Sequence, residues 1–106
     1  MQLQYEVRDG RLTAWISGEL GHPEAIDLMA RLERMIEDHL PGEMALDLSG
    51  LEFMDSSGIA VVVRTGRKCA VCGCRFWVRG VPPQAMKVFT AAGVHRLAEI
   101  HPEVNP

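Results

Sequence analysis

The apolar residues of this chain switch repeatedly between two spacings, and the order of the switches leaves few ways to fold it. Leu3, Tyr5 and Val7 alternate with polar neighbours, Leu12, Ala14 and Ile16 do the same, and Asp9-Gly10 stands between the two runs. A period of two belongs to a strand with one buried face, and Asp-Gly is a turn dipeptide for a tight hairpin. After Gly18-Glu19-Leu20-Gly21 the period becomes helical. Ala25, Leu28, Met29, Leu32, Met35 and Ile36 recur at helical spacing until Pro41-Gly42, which predicts a first helix over 23–39.

Alternation then returns: Met44, Leu46 and Leu48 stand against Ala45, Asp47 and Ser49 in a third strand. Past Met54-Asp55-Ser56-Ser57-Gly58 a second helix is predicted, with Ile59, Val62, Val63, Gly66 and Ala70 inward and Gly66 admitting close approach to the sheet. Its outer face is expected to carry Ser57, Ala60, Val61, Arg64, Arg67 and Lys68. Cys74, Phe76 and Val78 alternate with Arg75, Trp77 and Arg79 in a fourth strand. Pro82 or Pro83 opens a third helix capped by Gly93, and 94–100 supplies a fifth strand.

Parallel strands joined through helices require right-handed crossovers. If each strand adds on the same side of the last, all the helices fall on one face. The order therefore predicts an α/β fold: a five-stranded mixed sheet, an opening antiparallel hairpin followed by parallel strands, with the helices mainly on one face. The polar or mixed opposite face of strands two to four (Thr13, Trp15, Ser17, Ala45, Asp47, Arg75, Trp77, Arg79) fits that arrangement better than a doubly wound sheet.

At 106 residues there is room for one domain, with a core expected over about 3–100 and a short tail at 101–106. A net charge of -3 and no dense basic window argue against a nucleic-acid partner. The longest apolar run, Ile59-Ala60-Val61-Val62-Val63, falls far short of the ~20 residues a bilayer-spanning helix needs, so no membrane insertion is expected. Three clustered cysteines make a poor disulfide framework, and with an N-terminus that lacks a signal pattern they suggest a cytoplasmic protein.

The chemistry is concentrated at the third strand's exit, where Asp55, Ser56 and Ser57 meet a helix start. Such an end offers unpaired N–H groups and the positive end of the helix dipole. One reading is capping, with Asp55 as N-cap and Met54 and Ile59 as a hydrophobic staple. The other is a phosphoacceptor serine: a phosphate on Ser56 adds about -1.5 to -2 charge, which a helix N-terminus tolerates and a docked partner without a counter-charge does not.

The chain resembles the anti-sigma-factor antagonists built on the STAS domain. The resemblance rests on Gly18-Glu19-Leu20, on Leu48 through Phe53-Met54-Asp55-Ser56-Ser57-Gly58, and on Pro83-Gln84-Ala85-Met86 through Phe89 to Gly93-Val94. It covers about 3–100 and implies a switch protein that is not an enzyme and needs no cofactor or metal. Ser56 corresponds to the serine phosphorylated by an anti-sigma factor that is itself a serine kinase, and a metal-dependent phosphatase reverses the modification. The unphosphorylated form would bind the anti-sigma factor and free the sigma factor. Asp55 would help position the hydroxyl or contact the kinase, and Ser57 with Gly58 would shape the helix start. Ala60, Val61, Arg64, Arg67 and Lys68, with the loop of Glu19, Gly21 and His22, would form the partner-binding surface. Family members often carry Asp after Gly-Glu-Leu, where this chain has Gly21-His22. The alternative is an unphosphorylated STAS subunit docked on a transporter ATPase or a stress-signalling scaffold.

Other chemistries fit poorly. A zinc site built on Cys69, Cys72 and Cys74 would need a distant histidine, and a thioredoxin-like pair belongs at a helix N-terminus, whereas these thiols follow a C-terminus. Receiver domains need an acidic pair after their first strand and a late lysine, and Gly-x-Ser-x-Gly is absent. Trp15 and Trp77 are read as amphipathic covers of an open sheet face, with arginine stems over the rings; the competing reading is weak self-association through that face.

Overall fold

The computed structural model describes residues 1–101. Strands β1 (Gln2–Arg8) and β2 (Arg11–Leu20) form the hairpin, α1 (His22–His39) leads to β3 (Glu43–Met54), and α2 (Ser57–Val71) leads to β4 (Arg75–Arg79). Helix α3 (Pro83–Ala92) and a 3₁₀ turn at Val94–Arg96 precede β5 (Glu99–His101). The sheet order is β1-β2-β3-β4-β5, antiparallel only between β1 and β2. The fold is the α/β architecture that the spacing predicts. No helix among the described residues is long and apolar enough to cross a membrane.

Details differ where local geometry overrides periodicity. The third strand extends to Met54, well beyond the alternating segment, and Gly18-Glu19-Leu20 ends β2 instead of following it. Gly93 has φ 70° and caps α3, but the chain then makes the 3₁₀ turn, so the fifth strand is three residues long rather than 94–100. His101, assigned to the tail from sequence, is its last residue; 102–106 lies outside the described residues.

The helix-bearing face of the sheet is the core. Leu12, Ala14, Ile16, Met44, Leu46, Leu48 and Val78 pack there beneath Leu28, Leu32 and Ile36 of α1, Val61, Val62 and Cys69 of α2, and Ala85 and Phe89 of α3. A Cβ at Gly66 would stand 3.3 Å from the Phe76 ring, so that position keeps α2 low over β4.

The opposite face closes itself with charge. Trp77 is only 1% exposed, because Arg11 and Arg75 lie 4.9 and 5.0 Å from its ring centroid and His101 stacks on it at 5.6 Å. Those cations are held in turn by Glu43 and Glu99, with Arg75 3.0 Å from Glu99. Asp47, buried on the same face, accepts from Arg79 Nε at 3.0 Å and from the Ser49 backbone and hydroxyl at 2.9 and 2.6 Å. The covering role read for the arginines holds at Trp77, which is buried rather than left open.

Candidate functional site

All three helices begin at the same end of the sheet, because each follows the C-terminal end of a parallel strand or its loop. Their N-termini are electropositive at that end. There β3 outruns β4: the last β3–β4 pair is Asp47 with Arg79, leaving the stretch up to Met54 without a strand on that side. Gln84, in the first turn of α3, replaces the missing strand. Its carbonyl accepts from Met54 N–H at 2.9 Å and its amide donates to Met54 C=O at 2.8 Å. On the other side Asp55 N–H donates to Leu20 C=O at 3.2 Å. The residues entering α2 are thus fixed from both flanks.

At the helix start, Asp55 Oδ1 accepts from Ser57 N–H at 2.8 Å, and Ser56 is the N-cap residue by backbone geometry. The expected N-cap is displaced by one residue: Asp55 stands before the N-cap and its carboxylate takes the Ser57 N–H, and the Met54–Ile59 staple fails with it, because N′ and N4 fall on Asp55 and Ala60. Ser56 is therefore released from capping. Its side chain is exposed and makes no cap hydrogen bond, whereas Ser57 is half-buried. Gly58 is buried against the Met54 side chain, and a Cβ there would overlap the thioether.

The β2–α1 loop lies against the same spot. A Cβ on Gly21 would stand 3.6 Å from Asp55 Oδ2 and 3.1 Å from Glu24 Oε1, which itself accepts from Gly21 N–H at 3.0 Å. An aspartate at 21 would add a third carboxylate beside Asp55 and Glu24. Glu19 and His22 are exposed at this end.

The outer face of α2 differs from its expected composition. Buried positions are Gly58, Val61, Val62, Thr65 and Cys69, so the inward stripe passes through Val61, which is 1% exposed and belongs to the core rather than to a partner surface. Ala70, expected inward, is exposed. The isolated run of apolar residues from 59 to 63 fits two helix phases, and packing against α1 selects the one centred on Val61 and Val62. Ser56, Ala60, Arg64 and Arg67 remain exposed. Two of the expected cations are already engaged: Arg64 pairs with Glu33 at 2.8 Å and Lys68 with Glu37 at 3.1 Å. The Glu37 hydrogen bond holds the Lys68 ammonium above its ordinary pKa. Sequence reasoning missed these α1 partners and the role of Gln84. The ion pairs carry no local signal, and the clamp is implied only by a third strand longer than the fourth.

Among the described residues no three His, Cys, Asp or Glu side chains are gathered as a metal-ligand group. Cys69 and Cys74 are buried, and burial pushes both thiols upward, Cys69 well above the ordinary range. Cys72 is exposed at the C-terminal end of α2.

Fold and site together define a small α/β domain that offers an exposed serine and a helix face at one end of its sheet. The chain belongs to the STAS domain family: the family model "Mlab, STAS domain" matches residues 3–100. It is 27% identical over 106 residues to the anti-sigma F factor antagonist of Paenibacillus polymyxa, covering 99% of this chain and 91% of that one. An anti-sigma factor antagonist from Mycobacterium paratuberculosis superposes with a TM-score of 0.87 at 23% identity, over 98% of this chain and 87% of the other. The antagonist SpoIIAA in its unphosphorylated form superposes at 0.80 and 23% identity, over 96% and 90%. Its phosphorylated Bacillus form gives 0.72 at 24%, over 96% and 93%.

Proposed function

We propose that this STAS domain is an anti-sigma-factor antagonist. Its unphosphorylated form binds a kinase-type anti-sigma factor and so releases a sigma factor. Phosphorylation of Ser56 by that kinase switches binding off, and a metal-dependent phosphatase restores it. The observation that carries the reading is the division of labour at the α2 start: Asp55 does the capping, which leaves an exposed Ser56 hydroxyl available for transfer. Similarity to named antagonists over nearly the whole chain supports the same reading.

The docking surface in this reading is the Ser56, Ala60, Arg64 and Arg67 stripe with the Glu19, Gly21 and His22 loop; Lys68 contributes through its pair with Glu37, and Ser57 and Gly58 set the helix start. A phosphate on Ser56 gains from the α2 dipole and is repelled by Asp55. Free protein therefore tolerates it, whereas a partner packed over the stripe meets a dianion. Each 1.4 kcal/mol of that repulsion weakens binding about tenfold.

Calorimetric titration of a kinase-type anti-sigma factor with wild type, Ser56→Ala and Ser56→Glu tests the reading. Ser56→Ala is expected to bind like unmodified wild type and Ser56→Glu at least about tenfold more weakly. Equal affinity for all three would overturn the switch. A stable complex with a transporter ATPase or scaffold protein, and none with the kinase, would replace the reading by that of a constitutive subunit.

A further inference from the structure

The other end of α2 has chemistry that the switch does not use. The helix closes in a Schellman motif: Gly73 has φ +71°, Cys74 N–H donates to Cys69 C=O at 2.8 Å, and Gly73 N–H donates to Ala70 C=O at 3.4 Å. This motif brings the residue three before the cap into side-chain contact with the residue two beyond it. In this chain those two residues are Cys69 and Cys74. Both are buried in the core, at 0% and 6% exposure, with Cys69 Sγ 3.8 Å from Met44 Sδ. Cys72, the cap residue between them, is exposed.

We propose that this turn is a peroxide-oxidisable thiol site in which Cys72 takes the oxidant and a Cys69–Cys74 disulfide is the product. Cys72 is the accessible thiol of the three, and so the one that peroxide in solution reaches first. The Cys72 thiolate attacks one oxygen of hydrogen peroxide, the O–O bond breaks, hydroxide leaves, and the sulfur becomes a sulfenic acid, oxidised by two electrons. Cys74 gives its proton to solvent and attacks the Cys72 sulfur, expelling the hydroxyl as water. Cys69 then attacks the Cys74 sulfur and its proton passes to the departing Cys72 thiolate. The sum is two thiols and one peroxide giving a disulfide and two waters.

Burial supplies the direction of the last step. A low-dielectric site disfavours a thiolate but not a neutral disulfide, so exchange moves the sulfur–sulfur bond inward and returns the ionisable thiol to the surface. The backbone geometry favours the same pair, because the Schellman contact already holds the two residues together, as a disulfide requires.

Trypsin cuts after Lys68 and Arg75, so all three cysteines fall in one peptide, residues 69–75. The folded, reduced protein is treated with hydrogen peroxide, alkylated, digested and sequenced by mass spectrometry. The expected product is a peptide about 2 Da lighter in its thiols, with the single alkyl group on Cys72. Cys72→Ser changes an exposed position and is expected to form the same disulfide at least about tenfold more slowly. Over-oxidation of Cys72 alone, or a dimer linked through Cys72, with Cys69 and Cys74 still alkylated, would overturn the proposal. So would disulfide formation at an unchanged rate in Cys72→Ser.

Discussion

Replacing Gln84 with alanine tests how the phosphoacceptor segment is held. The wild-type amide makes two hydrogen bonds to one residue, at 2.9 and 2.8 Å, and Met54 is otherwise without a strand on that side. A hydrogen bond contributes about 0.5–1.5 kcal/mol net, and a buried group left unpaired costs about 1–3 kcal/mol. The Met54 side chain is fully buried, but the clamp itself is only partly buried, so water recovers some of the loss. The expected destabilisation is about 2–3 kcal/mol, which for a domain of this size lowers Tm by on the order of 10 °C. Urea denaturation measures the total, with an unchanged m-value. Hydrogen exchange locates it: the Met54 amide should exchange about 30-fold faster or more, beyond any change at Leu46 in the middle of the same strand. A loss below about 0.5 kcal/mol, with Met54 protection unchanged, would refute the claim that Gln84 stands in for a strand.

Three further outcomes follow from single positions. Gly58→Ala forces a methyl into the Met54 thioether and should destabilise by about 1–3 kcal/mol despite alanine's better helix propensity, measurable by denaturant melts. Leu40 caps α1 at φ 45° and ψ 54° with 72% of its surface exposed, so Leu40→Gly should raise stability by about 0.5–1 kcal/mol; an unchanged or lowered Tm would count against backbone strain there. Glu99 is held below its ordinary pKa of 4.5 by hydrogen bonds from Arg75 and then His101. A depressed folded-state pKa contributes stability above the unfolded value, and that stability is lost as pH falls through the folded one. The Glu99 carboxyl should therefore titrate below 4.5 by NMR and shift upward in high salt, where exposed pairs are screened.

The layout of the fold was legible because strand and helix periods alternate cleanly from Leu3 to Phe89, and handedness does the rest. Boundaries were less legible where neither period decides. The end of β3 at Leu51 to Met54 depends on Leu20 and Gln84, which lie far away in sequence. The phase of α2 was misread at Val61 because five consecutive apolar or small residues satisfy more than one inward stripe, and only contact with α1 chooses. Asp55, Ser56 and Ser57 stood out as chemistry at a helix start, yet which of them caps is a matter of backbone dihedrals. The pairing of Arg64 and Lys68 with Glu33 and Glu37 arises from two helices lying side by side, an arrangement without a local pattern.

The central claim is that Ser56 is the acceptor of a regulatory phosphate. Its most direct test is intact-mass and peptide mass spectrometry after incubation with ATP, magnesium and the kinase-type anti-sigma factor encoded nearest to this chain. The account predicts one phosphate, located on Ser56 and absent from Ser56→Ala. No phosphate, or a phosphate on Ser57 with Ser56 unmodified, would contradict it.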